Sequence, residues 1–140
     1  FRGCVRGGWR RAVGARWAVP ASALIFALFH CGNEAGTPVA FLNIFLAGCV
    51  LGHLRLRFGL AASTAFHFGW NATQGVLGFA VSGQMVPGLF AVETAGPRWL
   101  SGGGFGIEGS ACAVVTLGLL MAWLSLPARH NCTPIPRSEA

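Results

Sequence analysis

Two histidines stand in stretches otherwise suited to lipid. His30 closes "FALFH" and His67 opens "HFGWN", with Phe26 four residues before the first and Asn71 four residues after the second. Residues four apart share a helix face, so each histidine is paired with a neighbour on one side of its helix. An ionisable group inside a spanning segment costs some kcal/mol and marks a functional site by default. A neutral imidazole relays protons or polarises a carbonyl, and a carboxamide donates to a developing oxyanion. Counted from the starts of their segments at 1.5 Å per residue, the two histidines differ in depth by about 6 Å, so their faces can converge on one buried polar site. What these residues lack is an activator of water. Cys31 adjoins His30 but points roughly 100° away around the helix, and Glu34 falls in a loop. A divalent metal at His30 and His67 is the lesser alternative, because such sites take at least three protein ligands. No metal site and no cofactor is expected. His53, beside Arg55 and Arg57, and His130 near the end read as surface histidines.

The elements that must hold these residues are four apolar segments: Trp17 to Cys31, Pro38 to Leu54, Phe58 to Val81 and Ser110 to Leu126. Hydrophobic residues make up 54% of the 140-residue chain and charged residues 10%. Soluble domains carry about 25% charged residues, so the deficit points to a membrane protein. Backbone groups in lipid must be paired internally, and the runs do not alternate, which argues for helices over strands. The expected fold is all-α, a polytopic membrane bundle with about four spans. Arg2, Arg6, Arg10, Arg11, Arg16, Arg55, Arg57, Arg129 and Arg137 all fall on one side if each segment crosses once; Glu34, Glu93, Glu108 and Arg98 fall on the other. That segregation predicts cytoplasmic N- and C-termini. It also excludes a nucleic-acid patch as the reason for the formal +6 charge, since a basic footprint would not divide between apolar spans.

The remaining features are quieter. Gly48 and Gly52 form a small-xxx-small pair for close helix packing. Asn43 and Gln74 are candidates for interhelical hydrogen bonds. "SGGGFG" lacks the lysine and the strand–loop–helix setting of a phosphate cradle and reads as a flexible turn. The cysteines are dispersed, without a CxxC pair, and form neither a disulfide framework nor a zinc site. Residues 127–140 are polar, broken by proline, and read as a disordered cytoplasmic tail. The chain opens at Phe1 rather than Met, which reads as a fragment or a processed piece.

In order, Arg2-Gly3, Phe26-x-x-x-His30 and His67-x-x-x-Asn71 resemble the CPBP family of intramembrane proteases. That family comprises CAAX prenyl proteases and bacteriocin-processing or self-immunity (Abi) proteins. Its motifs are Glu-Glu-x-x-x-Arg, Phe-x-x-x-His and His-x-x-x-Asn, on separate helices. The last two are complete here, and "FRG" resembles the end of the first, so the two glutamates would precede Phe1. The likeness runs from Phe1 to about Leu126 and implies a domain over residues 1–126. It implies an intramembrane endopeptidase acting on a peptide or protein substrate in the bilayer. His30 would assist a glutamate base, His67 with Asn71 would bind the oxyanion, and Arg2 and Phe26 would support them. A catalytically silent scaffold or self-immunity protein, and a proton-coupled transporter, are the alternatives.

Overall fold

The computed structural model describes residues 15–126. Arg2, the truncated first motif and the expected tail lie outside the described residues. Helix α1 is Ala15–Phe29, α2 Pro38–Phe58, α3 Leu60–Leu77, α4 Arg98–Ser101 and α5 Ala111–Ser125. Two 3-10 turns, Gly103–Phe105 and Ile107–Gly109, join α4 to α5. The described residues contain no strand, only an isolated bridge between Val81 and Gln84.

Helix α2 is the hub, packing against α1, α3 and α5. Its start is fixed by Thr37, whose Oγ1 accepts from the Ala40 amide at 3.1 Å, followed by Pro38 in the first turn. A hydroxyl cap satisfies an orphan N–H, and a proline there loses no hydrogen bond. Arg55 and Arg57 occupy the last turn, where cations meet the negative end of the helix dipole. The helix therefore runs through Phe58, past the expected stop at Leu54, and Gly59 at φ 96° separates it from α3. The third expected segment is correspondingly shorter at both ends: Phe58 belongs to α2, and Gly78 in the left-handed region (φ 84°) ends α3.

Only α2, among the described helices, is both long and apolar enough to cross a membrane. Helices α1 and α5 have 15 residues each, about 22 Å at 1.5 Å per residue, short of a hydrocarbon core of about 30 Å. Helix α3 has 18 residues but carries His67, Asn71, Thr73 and Gln74. The outer faces are apolar: Leu24, Ile25, Leu28 and Phe29 on α1 and Val115, Leu119 and Trp123 on α5 are exposed, a surface that needs lipid or protein against it.

The core sits along α2. Ala27, Ala40, Ile44 and Phe105 form one buried cluster, Val19, Ala23 and Cys49 a second, and Val50, Leu117 and Leu124 a third. The α1–α2 contact depends on missing side chains. A Cβ on Gly48 would come 2.9 Å from the Ala23 Cα, and one on Gly52 would come 2.8 Å from a Val19 methyl. Gly69, by contrast, has nothing within 4 Å. Gly48→Leu should therefore lower stability by about 1–3 kcal/mol through overpacking, whereas Gly69→Ala should raise it by up to about 1 kcal/mol. Thermal unfolding in detergent reads both, and equal melting temperatures for the two variants would contradict the close-contact account.

Candidate active site

Each histidine sits where its helix fixes one ring nitrogen. His30 lies just past the end of α1, and its Nδ1 is 2.7 Å from the Phe26 carbonyl oxygen. A carbonyl only accepts, so Nδ1 carries the proton, and in the neutral ring Nε2 is left as a free acceptor. On α3 the Asn71 Nδ2 donates to His67 Nε2 at 3.4 Å, one turn away. That leaves Nδ1 of His67 as the protonated nitrogen, hence a donor. The two imidazoles are thus held in opposite tautomers, one offering a lone pair and the other a proton.

Phe26 stands between them. Its ring centroid is 4.5 Å from that of His30 and 5.6 Å from that of His67, edge-on to the latter. All three line one cavity of about 30 Å3 between the helices, with Asn43, Trp70, Ser82 and Glu108 also in its wall. Asn71 holds His67 but is not itself part of that wall. Among the described residues, no group of three or more His, Cys, Asp and Glu is placed to hold a metal ion.

The charge segregation sets Glu108 on the side of the bundle away from the termini, with no role beside the histidines. The structure places its carboxylate in the cavity wall. Oε1 accepts from the Trp70 indole N–H and from Gln74 Nε2, the latter at 3.0 Å. Oε2 accepts from the Ser82 amide at 2.9 Å and from the Ser82 hydroxyl at 2.7 Å. Four donors occupy the roughly four lone-pair positions of a carboxylate. Ser82 is held at φ 49°, a left-handed conformation that costs a side-chain-bearing residue of order 1–3 kcal/mol and is kept by those two bonds. The backbone oxygen of Glu108 accepts from Asn43 Nδ2 at 2.7 Å, and that of Ser110 accepts from the same nitrogen at 2.9 Å. Two carbonyls around one amide nitrogen fix the orientation of the Asn43 side chain. So Asn43 and Gln74, expected to join helix to helix, join helices to this loop instead.

The loop that carries Glu108 is compact, which corrects the flexible-turn reading of "SGGGFG". Phe105 is among the most buried side chains. A Cβ on Gly102 would collide with the Gly106 carbonyl, and one on Gly106 with the Ala80 carbonyl. The available signal was an acid embedded in glycines two residues before Ser110, which caps α5 through the Ala113 amide at 3.2 Å.

Chemically, the cavity offers a bare imidazole nitrogen, an imidazole N–H with a carboxamide behind it, and a carboxylate whose lone pairs are taken. That set can accept a proton and stabilise negative charge. It contains no free carboxylate among the described residues. A family model described as type II CAAX prenyl endopeptidase Rce1-like matches residues 1–73. The match takes in both histidine motifs and stops before Glu108. Neither a curated relative nor a solved structure matches the chain.

Glu108→Gln should cost about 1.5–3 kcal/mol for each charge-assisted bond it weakens, because the amide would turn donors toward the Ser82 N–H. The melting temperature of the protein in detergent should fall, and limited proteolysis should open residues 82–101 first. Unchanged melting and an unchanged digestion pattern would rule out a holding role for the carboxylate.

Proposed function

The chain belongs to the type II CAAX prenyl endopeptidase, Rce1-like, family, an integral membrane protease family, and on that premise we propose that it forms the catalytic region of an intramembrane endopeptidase. The observation that carries the reading is the meeting of His30 and His67 around Phe26 in one cavity, in opposite tautomers. In the proposed reaction a water oxygen attacks the scissile carbonyl carbon. A carboxylate base of the kind the family's first motif supplies takes the water proton, and His30 Nε2 assists that base. The carbonyl oxygen becomes an oxyanion facing the His67 Nδ1–H, while Asn71 holds the ring from its Nε2 side. The C–N bond then breaks, and the proton passes to the leaving amine. Arg2 orients the glutamates, and Phe26 spaces the two rings. No resident metal or other cofactor enters this scheme.

The substrate of the proposed reaction is a peptide bond of a protein in the bilayer. The domain is residues 1–126, with about four membrane passages, cytoplasmic termini and a cytoplasmic tail over residues 127–140. Apolar outer faces on α1 and α5 support the membrane setting. The short α1 and α5 would then cross within a bundle that shields their ends, where thinning and flanking arginines absorb the mismatch. A catalytically silent scaffold is the second reading, favoured by the saturated Glu108 carboxylate, and it predicts no cleavage by the parent protein.

The test is cleavage of a prenylated CAAX-type peptide, and of an unprenylated apolar peptide, by the parent protein in vesicles. His30→Ala should slow the cut about 10²–10⁴-fold, the range for a proton-transfer group. His67→Ala should slow it about 10²–10³-fold, the range for an oxyanion donor, and Asn71→Ala, which frees the His67 ring without removing the donor, should slow it less. Wild-type rates in either histidine variant would sink the assignment.

A further inference from the structure

His30 borders two spaces of very different size. One is the chamber of about 30 Å3 that it shares with His67 and Asn43. The other is a more open groove of about 400 Å3, lined by Cys31, Asn33, Thr37, Phe41 and Phe105 as well as His30. A water needs at least about 10–15 Å3 measured this way, so the chamber has room for a water or two and for no substrate side chain. Ligand clefts run to about 300–1,000 Å3, so the groove has room for a few residues of an extended peptide.

The polar groups divide in the same way. Asn43 is 1% exposed, and its Oδ1 has no partner. An unpaired buried acceptor costs about 1–3 kcal/mol, and a water in the chamber would satisfy it. In the groove, the Thr37 oxygen accepts from the Ala40 amide, which leaves its hydrogen to donate. Asn33 gives one amide hydrogen to the Ser82 carbonyl at 2.9 Å and keeps its second hydrogen and its oxygen. Phe41 supplies an apolar floor, with the buried Phe105 behind it. Hydrogen bonds to the main chain together with apolar pockets for alternate side chains are what an extended peptide requires.

We propose that this groove is the substrate subsite of the reaction proposed above, and that the chamber behind His30 holds the attacking water. The inference rests on that functional reading for its chemistry, but the site can be tested by binding alone. An extended apolar segment lies over Phe41, its backbone bonded to Thr37 and Asn33, and brings its scissile carbonyl to His30, with the carbonyl oxygen, about the size of a water, turned into the chamber toward His67. Cys31, exposed in the groove, provides a handle.

The experiment uses the parent protein in vesicles with Cys4, Cys112 and Cys132 changed to serine and Cys49 to alanine, so that Cys31 is its reporter thiol within this sequence. The probe is an internally quenched apolar octapeptide carrying a benzophenone photolabel. Photoadducts should map to residues 31–41 and 105. A bulky maleimide on Cys31 should abolish them and slow cleavage at least tenfold, mainly through KM, while the same adduct on a Cys112-only variant should change neither. Adducts confined to other segments, full cleavage after complete Cys31 modification, or a Cys31 made unreactive by chain packed over the groove would each overturn the subsite. Groove labelling without cleavage would support the subsite and fail the proposed hydrolysis. Cleavage with labelling elsewhere would do the reverse.

Discussion

A half-buried carboxylate with no cation beside it among the described residues needs hydrogen-bond donors around it, because desolvating a charge without partners is costly. Glu108 meets that demand with four, and they come from separate parts of the chain. Trp70 and Gln74 belong to α3, one and two turns beyond His67 on its face; Ser82 belongs to the turn after α3. The Glu108 carbonyl adds Asn43 of α2. Satisfying one side chain therefore ties the hub helix, the His67 helix and the returning loop into one arrangement. Hydrogen bonds to a charged partner contribute about 1.5–3 kcal/mol each, a large share of a typical net stability of 5–15 kcal/mol. The cavity wall containing both histidines depends on that knot.

The same saturation separates the roles of the acidic and basic groups. A carboxylate that already accepts four hydrogen bonds has its lone pairs committed, which suits it to holding neighbours in place. The imidazoles are left with one free nitrogen each, and the local backbone decides which. At the end of α1 a carbonyl claims the His30 Nδ1 proton; in the middle of α3, where carbonyls are used within the helix, an asparagine claims the His67 Nε2 lone pair. Position along a helix thus selects the tautomer, and so sets one ring as acceptor and the other as donor.

What the sequence made legible follows from which constraints are local. The i, i+4 pairs Phe26–His30 and His67–Asn71 are fixed by helical geometry, so their shared faces could be read from spacing alone. Helix positions came from apolar run length, and their ends were off by a few residues where arginine continued a helix or a glycine ended it. Gly48 and Gly52 were readable as close packing because their effect is nearly independent of the rest of the fold. Glu108, Ser82 and the free Asn43 oxygen were not readable. Their partners lie 26 to 67 residues away in sequence, and no periodicity encodes a contact made by a loop folding back. The Rce1-like match, ending at residue 73, does not extend to that loop either.

The loop's glycines follow from where it lies. Trp70 stands seven residues before the end of α3, about 10 Å along the axis at 1.5 Å per residue, so a loop that bonds Trp70 has descended between the helices. Irregular backbone packed between helices has to find its hydrogen bonds in the surrounding protein or at a cavity it lines. Both conditions hold here: Phe105 is packed against α1 and α2, and Glu108 borders the cavity. Carbonyls approach so closely at Gly83, Gly102 and Gly106 that a Cβ has no room, and all three adopt positive φ. A stretch that composition alone marks as flexible is therefore glycine-rich because it is crowded. The glycines allow a polar loop to fold in between the helices, and Glu108 there finds four donors.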